Sequence, residues 1–243
     1  MLLKPSMWPP DEADGLSESL FDLTDQYDEM LSRGIRVSGE TKDFFVRGRA
    51  RSLLQKLPAW FRPKRILDFG CGMGETTHYL TEVFENAEVW GVDTAQNALH
   101  HARKRYGSKR LKFVNPKQLA EAGQFDLCYT NGVLHHVKPA VRVALVRRVH
   151  ASMSSGGYFA LFENNPWNPG TRLVMSRIPF DRDAQMLSPV QAMRLVREGG
   201  FAGGAAWWSL FHFPRALSLL RFADDALSHL PLGAQYCVLS VKS

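Results

Sequence analysis

The sequence lacks several features that would mark a specialised class of protein. Its 243 residues include only three cysteines, which lie far apart and match no C-x-x-C or Cys/His zinc spacing. It has no internal repeat, no low-complexity tract and no apolar run near the roughly 20 residues of a membrane-spanning helix. The N-terminus also lacks the basic start and long apolar stretch of a secretory signal. We therefore expect a reduced, cytoplasmic protein without a membrane span.

The charge of the chain is unevenly distributed. The formal net charge is +6, but residues 1–30 contain one Lys and eight Asp or Glu, so this segment carries −7 and the remainder +13. A basic body can attract nucleic acid, anionic lipid or an acidic substrate, and charge alone does not choose among them. Hydrophobic residues make up 45% and charged residues 22% of the chain. This composition is that of an ordinary globular protein, and the length fits one α/β domain with a small annex.

Residues 1–63 are predicted to form an N-terminal helical cap. Residues 17–33 place apolar side chains at helical spacing opposite an acidic face. Residues 39–57 form a second such pattern, which Pro58 and Pro63 end. The basic side chains of this second helix are expected on a solvated face; they are Arg47, Arg49 and Arg51.

After residue 63 the pattern alternates between strands and helices, which predicts an open, mostly parallel sheet with right-handed crossovers. Two late strands beside an amphipathic helix at 215–230 predict an antiparallel addition at the sheet edge, and the helix is expected to cover the core. The fold class is thus α/β, a Rossmann-like doubly wound sheet over residues 64–243. The predicted strands are Arg65–Phe69, Glu88–Asp93, Leu111–Val114, Phe125–Asn131, Tyr158–Glu163, 205–213 and 235–242, and the predicted helices between them are 74–85, 95–106, 117–122, 139–153 and 188–199.

A glycine-rich loop follows the first predicted strand. The spacing Gly70-x-Gly72-x-Gly74 lets the backbone turn sharply and lets a ligand approach the main chain. This spacing differs from the G-x-G-x-x-G of a pyrophosphate-binding loop, and Asp68 in the preceding strand would repel a diphosphate. Asp93 ends the next strand, where a carboxylate can accept both hydroxyls of a ribose. A nucleoside with a cationic end and no phosphate, such as S-adenosylmethionine (SAM), suits this pattern.

The segments ILDFGCGMG, VWGVD and FDLCYTNGVLHHV resemble the successive motifs of class I SAM-dependent methyltransferases. The resemblance covers about residues 64–164, and it implies the fold of that class, SAM as cofactor and S-adenosylhomocysteine (SAH) as product. By this resemblance the methionine part of SAM is bound by Asp68, Gly70, Gly72 and Gly74, and its ribose by Asp93. Asn131 and Gly132 would line the floor of the site near the sulfonium.

Some of these residues also have a purely structural interpretation. Asp93 could cap the helix that starts near Ala95, and Gly74 could serve only to pack the following helix against the sheet. The family usually offers an acidic residue to the adenine amine after the third strand, and this chain has none there. Asn115 and Gln118 are the substitutes that we expect to contact the adenine.

Residues 165–187 form a long insertion between the fifth strand and the next helix. The segment resembles the NP-x-NP-x-x-R…PFD-x-DA signature of one bacterial subgroup of these methyltransferases, as does the later PLGAQY. That subgroup is associated with small-molecule or glycan and lipid biosynthesis. We expect the insertion and residues 1–63 to close over the active site. Relatives commonly have a His where this chain has Asn164, which is a predicted substrate residue here.

Histidines are the candidates for a general base, should the methyl acceptor be a hydroxyl. His136 is favoured over its neighbour His135, because at least one of the pair is expected to be a packing element of the loop. No metal site is expected, because the His pair is not at i, i+4 spacing and no acidic cluster accompanies it. The other predicted substrate residues are Trp167, Arg172, Arg177 and the more remote His212, with Trp207, Trp208, Phe211 and Phe213 as further candidates for an apolar pocket.

Arg172 and Arg177 have an alternative role that the residues leave open. They could bind an acidic group of the substrate, or they could pair with Asp181 or Asp183 and close the insertion. The pairing within the insertion is slightly favoured.

The sequence therefore predicts a SAM-dependent methyltransferase for a small, partly apolar metabolite with an O, N or C nucleophile. A SAM-binding protein without methyl transfer is an alternative, and so is an RNA or protein methyltransferase, which only the basic body favours. Nucleic acid is not the expected partner. The N-terminal helix could form a homodimer contact, although no residue demands it.

Overall fold

The computed structural model describes residues 24–119, 121–181, 184–201 and 205–243. The described chain begins with α1 (Thr24–Ile35), a 3-10 helix (Arg36–Ser38) and α2 (Lys42–Lys56). Both predicted N-terminal helices are thus present, although the first part of the 17–33 prediction lies outside the described residues.

The alternating pattern after residue 63 folds as predicted. A seven-stranded sheet has the order β3-β2-β1-β4-β5-β7-β6. The first five strands pair in parallel, and β7 pairs antiparallel with both β5 and β6. The elements are β1 (Arg65–Phe69), α3 (Glu75–Val83), β2 (Glu88–Val92), α4 (Gln96–Tyr106), β3 (Leu111–Val114), α5 (Pro116–Leu119), β4 (Phe125–Asn131), α6 (Pro139–Ala151), β5 (Met153–Asn164), α7 (Pro169–Ser176), α8 (Pro189–Glu198), β6 (Ala205–Leu210), α9 (Asp224–Leu227) and β7 (Gln235–Val241).

The strand order reverses between β1 and β4. The chain runs outward from β1 through β2 to β3, and then returns to place β4 on the other side of β1. In open α/β sheets a crevice for ligands forms beyond the carboxyl ends of the strands at such a reversal. The glycine-rich loop leaves β1 at this point, so the topology places it beside the segment that follows β4.

Helix α2 is part of the main core and not only a cover. Thr41 accepts a hydrogen bond from the Phe44 amide and caps the helix start. Leu53, with no exposed surface, joins the cluster of side chains on one face of the sheet. Trp208 Nε1 on β6 donates a hydrogen bond to Ser52 Oγ at 2.6 Å. The predicted N-terminal cap is therefore continuous with the sheet at this helix.

The solvated face that we expected on α2 is wrong for Arg49. Its exposed fraction is 6%, whereas Arg47 and Arg51 are exposed. Arg49 lies in register with the buried Val46 and Leu53, on the apolar stripe of the helix. A charge in that stripe is the signal that identifies the buried arginine.

The expected core-covering helix at 215–230 is also wrong. The segment forms a 3-10 helix over Arg215–Ala223, with Leu217 outside helical geometry, followed by the short α9. Leu219 and Phe222 are 88% and 86% exposed. No residue of the 3-10 helix or of α9 is buried, so the segment does not cover the core.

The insertion is tied to the loop before β7 by its two asparagines. Asn165 Nδ2 donates to the carbonyls of Pro231 and Gly233 at 3.0 and 2.8 Å. Asn168 Nδ2 donates to the Leu232 carbonyl at 2.7 Å, while its Oδ1 caps α7. The NP-x-NP and PLGAQY segments are therefore two sides of one contact.

Among the described residues, no helix combines the length and the apolar character that crossing a bilayer requires.

Two adjacent leucines of α2 test whether this helix belongs to the core. Leu53→Ala should lower the free energy of unfolding by about 2–5 kcal/mol, because it leaves a cavity in the main cluster. Leu54 is 44% exposed, so Leu54→Ala should change the free energy by less than about 0.5 kcal/mol. Urea unfolding of both variants measures the difference, and equal small effects would show that α2 is a detachable cover.

Candidate functional site

A cavity of about 530 Å³ opens at the carboxyl ends of β1, β4 and β5. Three parts of the chain form its walls: the glycine-rich loop, helices α1 and α2, and the insertion with the segment that follows β6. Lys42 at the start of α2 pairs with Glu75 at the start of α3 at 2.8 Å, so the N-terminal helices are joined to the glycine-rich loop. The volume is in the range of small-molecule and cofactor sites.

All three glycines of the loop have the left-handed backbone that favours glycine, and two of them, Gly70 and Gly72, line the cavity. Gly70 has φ of +79°, and a Cβ there would lie 2.2 Å from Val133 Cγ2. Gly72 has φ of +51°, and a Cβ there would meet no atom within 4 Å. The first glycine therefore permits close approach to the segment after β4. The second leaves open space beside the main chain, in which a ligand can lie.

Asp68 is a buried carboxylate at the end of β1. It is 2% exposed, and Thr77 Oγ1 on α3 donates a hydrogen bond to its Oδ2 at 2.7 Å. Burial raises the pKa of Asp68 to about 7, while the Thr77 hydrogen bond and the charge of Arg49 oppose the rise. A cationic ligand in the cavity would stabilise the ionised form of Asp68.

Arg49 faces the same cavity and is the functional residue that the sequence analysis missed. Its Nε donates to Tyr129 Oη at 3.0 Å, and its Nη1 donates to Gln235 Oε1 at 3.1 Å. Tyr129 is the direct neighbour of Asp68 across the β1–β4 pair. The buried guanidinium of Arg49 and the buried carboxylate of Asp68 thus both line the cavity.

Asp93 follows β2 and fixes the loop from the other side. Its Oδ2 accepts a hydrogen bond from the Gly72 amide at 2.8 Å, and its Oδ1 accepts one from the Ala95 amide at 3.0 Å. Burial raises its pKa. The side chain therefore caps the turn before α4 and supports the glycine-rich loop, and it does not itself border the cavity.

Asn131 and Gly132 lie at the end of β4 and line the cavity, as predicted from the floor motif. Asn131 Oδ1 is buried and has no hydrogen-bond partner among the described residues. Gly132 has φ of +68°, and a Cβ there would approach His135 Cε1 at 3.4 Å. A buried amide oxygen without a partner on the cavity wall is an acceptor available to a ligand.

Three predicted cofactor residues have local structural roles. A Cβ on Gly74 would lie 2.7 Å from the ring of Phe113, so this glycine packs α3 against the sheet. Asn115 Oδ1 accepts a hydrogen bond from the Gln118 amide, and Gln118 Oε1 accepts one from the Asn115 amide, each at 3.0 Å. This reciprocal pair caps α5, so the carbonyl oxygens expected at the adenine amine already accept hydrogen bonds.

The two adjacent histidines belong to a buried cluster of charges. His135 Nδ1 lies 2.5 Å from Glu163 Oε2, and its Nε2 lies 3.6 Å from Asp181 Oδ1. Burial alone would lower the pKa of His135, but the charges of Glu163 and Asp181 raise it to about 10. His136 Nε2 lies 3.3 Å from the same Asp181 oxygen. The cluster joins the ends of β4 and β5 to the insertion.

Asp181 corrects two of the expectations for this region. It contacts the histidine pair and not Arg172 or Arg177, which both lie on the exposed surface. Asp183, the other proposed partner, lies outside the described residues. Asp181 also supplies a carboxylate that the sequence did not reveal, so one ligand atom from each of three side chains lies within 4.8 Å of the other two. Their separation in sequence concealed this group.

His212 lines the opposite wall of the cavity. It is 7% exposed and has φ of +48°, which is uncommon outside glycine and marks a position under local constraint. Its ring packs edge-on against Phe44 and Phe45. Burial lowers its pKa to about 3, and the charge of Arg49 acts in the same direction, so the imidazole is neutral. Its Nε2 has no hydrogen-bond partner among the described residues.

The structure brings some of the predicted substrate residues to the cavity and leaves others outside. Asn164, Phe211, His212 and Phe213 line it. Trp208 is buried in the core, and Trp207 packs against the second core cluster. Trp167, Arg172 and Arg177 are exposed and do not border the cavity.

These observations test whether the residues fit SAM. The open space beside Gly72 admits a ligand along the main chain, and the orphaned Asn131 oxygen offers it an acceptor. Asp68 and Arg49 offer opposite charges to an α-amino acid group. The donor set therefore matches a zwitterionic nucleoside ligand without phosphate.

Parts of the chain are similar to known proteins. Residues 67–159 match a family described as a methyltransferase domain. The trans-aconitate 2-methyltransferase of Rhodopseudomonas palustris (strain BisB5) is 27% identical over 132 residues, which cover 54% of this chain and 50% of that protein. The chain thus spans about half the length of this curated relative.

Solved structures show the same fold. A SAM-dependent methyltransferase from Archaeoglobus fulgidus has a TM-score of 0.61 at 16% identity, covering 82% of this chain and 93% of that chain. PigF with SAH has a TM-score of 0.57 at 16% identity, covering 88% of this chain and 64% of that chain. The fold is therefore the Rossmann-like fold of class I methyltransferases, and residues 67–159 are similar to the methyltransferase domain family.

Proposed function

We propose that the protein transfers a methyl group from SAM to a small, partly apolar molecule bound in the cavity. The observation that carries the proposal is the set of cofactor groups at one end of the cavity, where Asp68, the Gly72 main chain and Asn131 lie together. The other end is lined by the insertion and by the segment after β6. One cavity thus offers a cofactor half and an acceptor half.

In the cofactor half, Asp68 and Arg49 would bind the amino acid end of SAM. The Asp68 carboxylate would accept hydrogen bonds from the ammonium, and the Arg49 guanidinium would donate to the carboxylate. Tyr129 and Gln235 hold Arg49 in place, so its orientation is set before a ligand binds. Asp93 would accept hydrogen bonds from the ribose hydroxyls. The two ends of the cofactor are therefore recognised by different residues.

In the acceptor half, the lining favours an apolar body. The insertion contributes five large apolar side chains, and the segment after β6 contributes aromatic rings. The relatives named for trans-aconitate suggest an acidic acceptor as the competitor. We favour a partly apolar acceptor because of the apolar side chains that line this half, which are Leu173, Val174, Met175, Ile178, Phe180, Phe211, Phe213 and Leu217.

Methyl transfer requires mainly that the nucleophile and the methyl group be held in line and that water be excluded. SAM supplies a methyl group on a sulfonium, which is already a good leaving group. His136 borders the cavity, so we propose that it is part of the acceptor site. His135 acts as a positioning residue, because Glu163 and Asp181 hold its ring. His212 would present a neutral imidazole from the opposite wall.

The location of the protein is a further proposal. Cys71, Cys128 and Cys237 are all buried and unpaired. Free buried thiols fit a reducing compartment, which supports the cytoplasm.

A ligand without the amino acid end distinguishes the residues that bind this end of the cofactor from those that bind its nucleoside. Asp68→Asn and Arg49→Met should each weaken SAH binding at least about tenfold, or ~1.4 kcal/mol. Neither should change the affinity for 5′-methylthioadenosine by more than about twofold, because that ligand lacks the amino acid end. Asp93→Ala should weaken the binding of both ligands. Isothermal titration calorimetry of each variant with each ligand gives the comparison.

Asp126→Asn is the matched control. Asp126 is a carboxylate on β4 that accepts hydrogen bonds from the Lys64 and Arg65 amides, away from the cavity. It should bind both ligands like the wild type. Wild-type protein that is folded but binds neither SAM nor SAH would refute the proposed function.

Turnover tests the acceptor half. We expect SAH to form when SAM is incubated with the protein and a panel of small phenols and hydroxy acids, with trans-aconitate as the competitor. His136→Gln should lower the rate at least about tenfold while leaving SAM affinity unchanged, because it removes a side chain that positions the acceptor. His100→Gln, on the exposed face of α4, should have no effect.

Two results would contradict this assignment. Equal rates for His136→Gln and the wild type would remove His136 from the acceptor site. Tight SAM binding without SAH formation from any acceptor would favour the alternative of a SAM-binding protein that does not methylate.

A further inference from the structure

The buried cluster at the end of β4 contains more than an ion pair requires. His135, His136 and Asp181 each offer one ligand atom, and these atoms all lie within 4.8 Å of one another. Two imidazoles and one carboxylate form a common donor set for first-row transition metals. All three side chains also border the cavity. The cluster is therefore a ligand set on the wall of a binding site.

Two of the three distances between the ligand atoms of the cluster fit a small metal ion. Asp181 Oδ1 lies 3.6 Å from His135 Nε2 and 3.3 Å from His136 Nε2. Tetrahedral ligands at about 2.0–2.2 Å from zinc are themselves about 3.3–3.6 Å apart. These two separations therefore match the edges of a tetrahedral site.

A carboxylate behind the cluster orients its most buried histidine. Glu163 Oε2 lies 2.5 Å from His135 Nδ1, and Glu163 Oε1 accepts a hydrogen bond from the Leu134 amide at 2.8 Å. A metal-binding histidine usually donates its other ring N–H to such a carboxylate, which sets the tautomer and the ring orientation. The Gln185 amide donates to the His135 carbonyl at 2.8 Å and holds the main chain as well.

We propose that His135, His136 and Asp181 bind one divalent transition-metal ion, with zinc as the representative, and that Glu163 orients His135 for this role. The fourth coordination position faces the cavity and would accept an oxygen of water or of the methyl acceptor. Metal binding itself does not depend on methyl transfer. The contact with the acceptor rests on the proposed function.

The test uses the full chain after treatment with a chelator and dialysis. Calorimetric titration with ZnCl₂ should show one equivalent bound by the wild type. Asp181→Asn and His136→Gln should each lower the zinc affinity at least about tenfold, because each removes one of three protein ligands. A wild-type protein without a single stoichiometric site would overturn the proposal, as would Asp181→Asn with wild-type affinity.

Two control variants isolate the site. His78 and Glu82 form a His–carboxylate pair outside the cluster, 3.5 Å apart on the solvent-facing side of α3. Because this pair lacks a third ligand, His78→Asn should bind zinc like the wild type. Asp93→Ala should lose SAM binding and keep zinc binding. Loss of the stoichiometric site in His78→Asn would show that the binding is on the surface and would overturn the proposal.

A spectroscopic measurement on the wild type guards against misfolded variants. Cobalt(II) added to the chelator-treated, dialysed protein should give the intense visible absorption of a four-coordinate site, and one equivalent of zinc should remove this absorption. Only a weak absorption of octahedral cobalt would overturn the proposal. Zinc binding without any SAM binding would instead refute the proposed function and leave the metal site standing.

Discussion

Charged side chains buried at the carboxyl ends of the parallel strands are the constraint on which this structure depends. A charge removed from water needs hydrogen bonds and opposite charge nearby, and a short strand end cannot supply them. Asp68 on β1 accepts a hydrogen bond from Thr77 on α3, and the charge of Arg49 on α2 stabilises its ionised form. Glu163 on β5 pairs with His135 after β4. Each buried charge therefore binds a separate part of the chain to the sheet.

The same constraint assembles the cavity. Because Arg49 lies opposite Asp68, helix α2 packs across the glycine-rich loop, and Leu53 of the helix is buried with the core. Because Asp181 lies against the histidine pair, the end of the insertion lies over the segment after β4. The two walls are thus fixed by the groups that face the ligand space. A site built in this way is preorganised for a small ligand.

Much of the sheet could be predicted because its signals are local. Buried apolar runs, a glycine-rich turn and helix stop signals each lie within a few residues, and β1, β3 and β4 have the predicted bounds. The glycine and carboxylate positions of the cofactor end were also predicted, since their spacing along one strand–loop–helix unit is short. The errors occur where local pattern and tertiary context disagree. The 215–230 segment has an apolar pattern but no single buried face.

The sequence by itself determined the order of strands and helices, the glycine-rich loop at the end of β1 and the carboxylates Asp68 and Asp93 beside it, because these depend on neighbouring residues. Only the tertiary structure decided that Arg49 is buried, that Asp181 contacts the histidines and that Arg172 and Arg177 do not reach the cavity. The reason is the distance along the chain: Asp181 lies 45 residues after His136, and Gln235 lies 186 residues after Arg49. Contacts at such separation are set by the packing of whole elements, which local patterns do not encode.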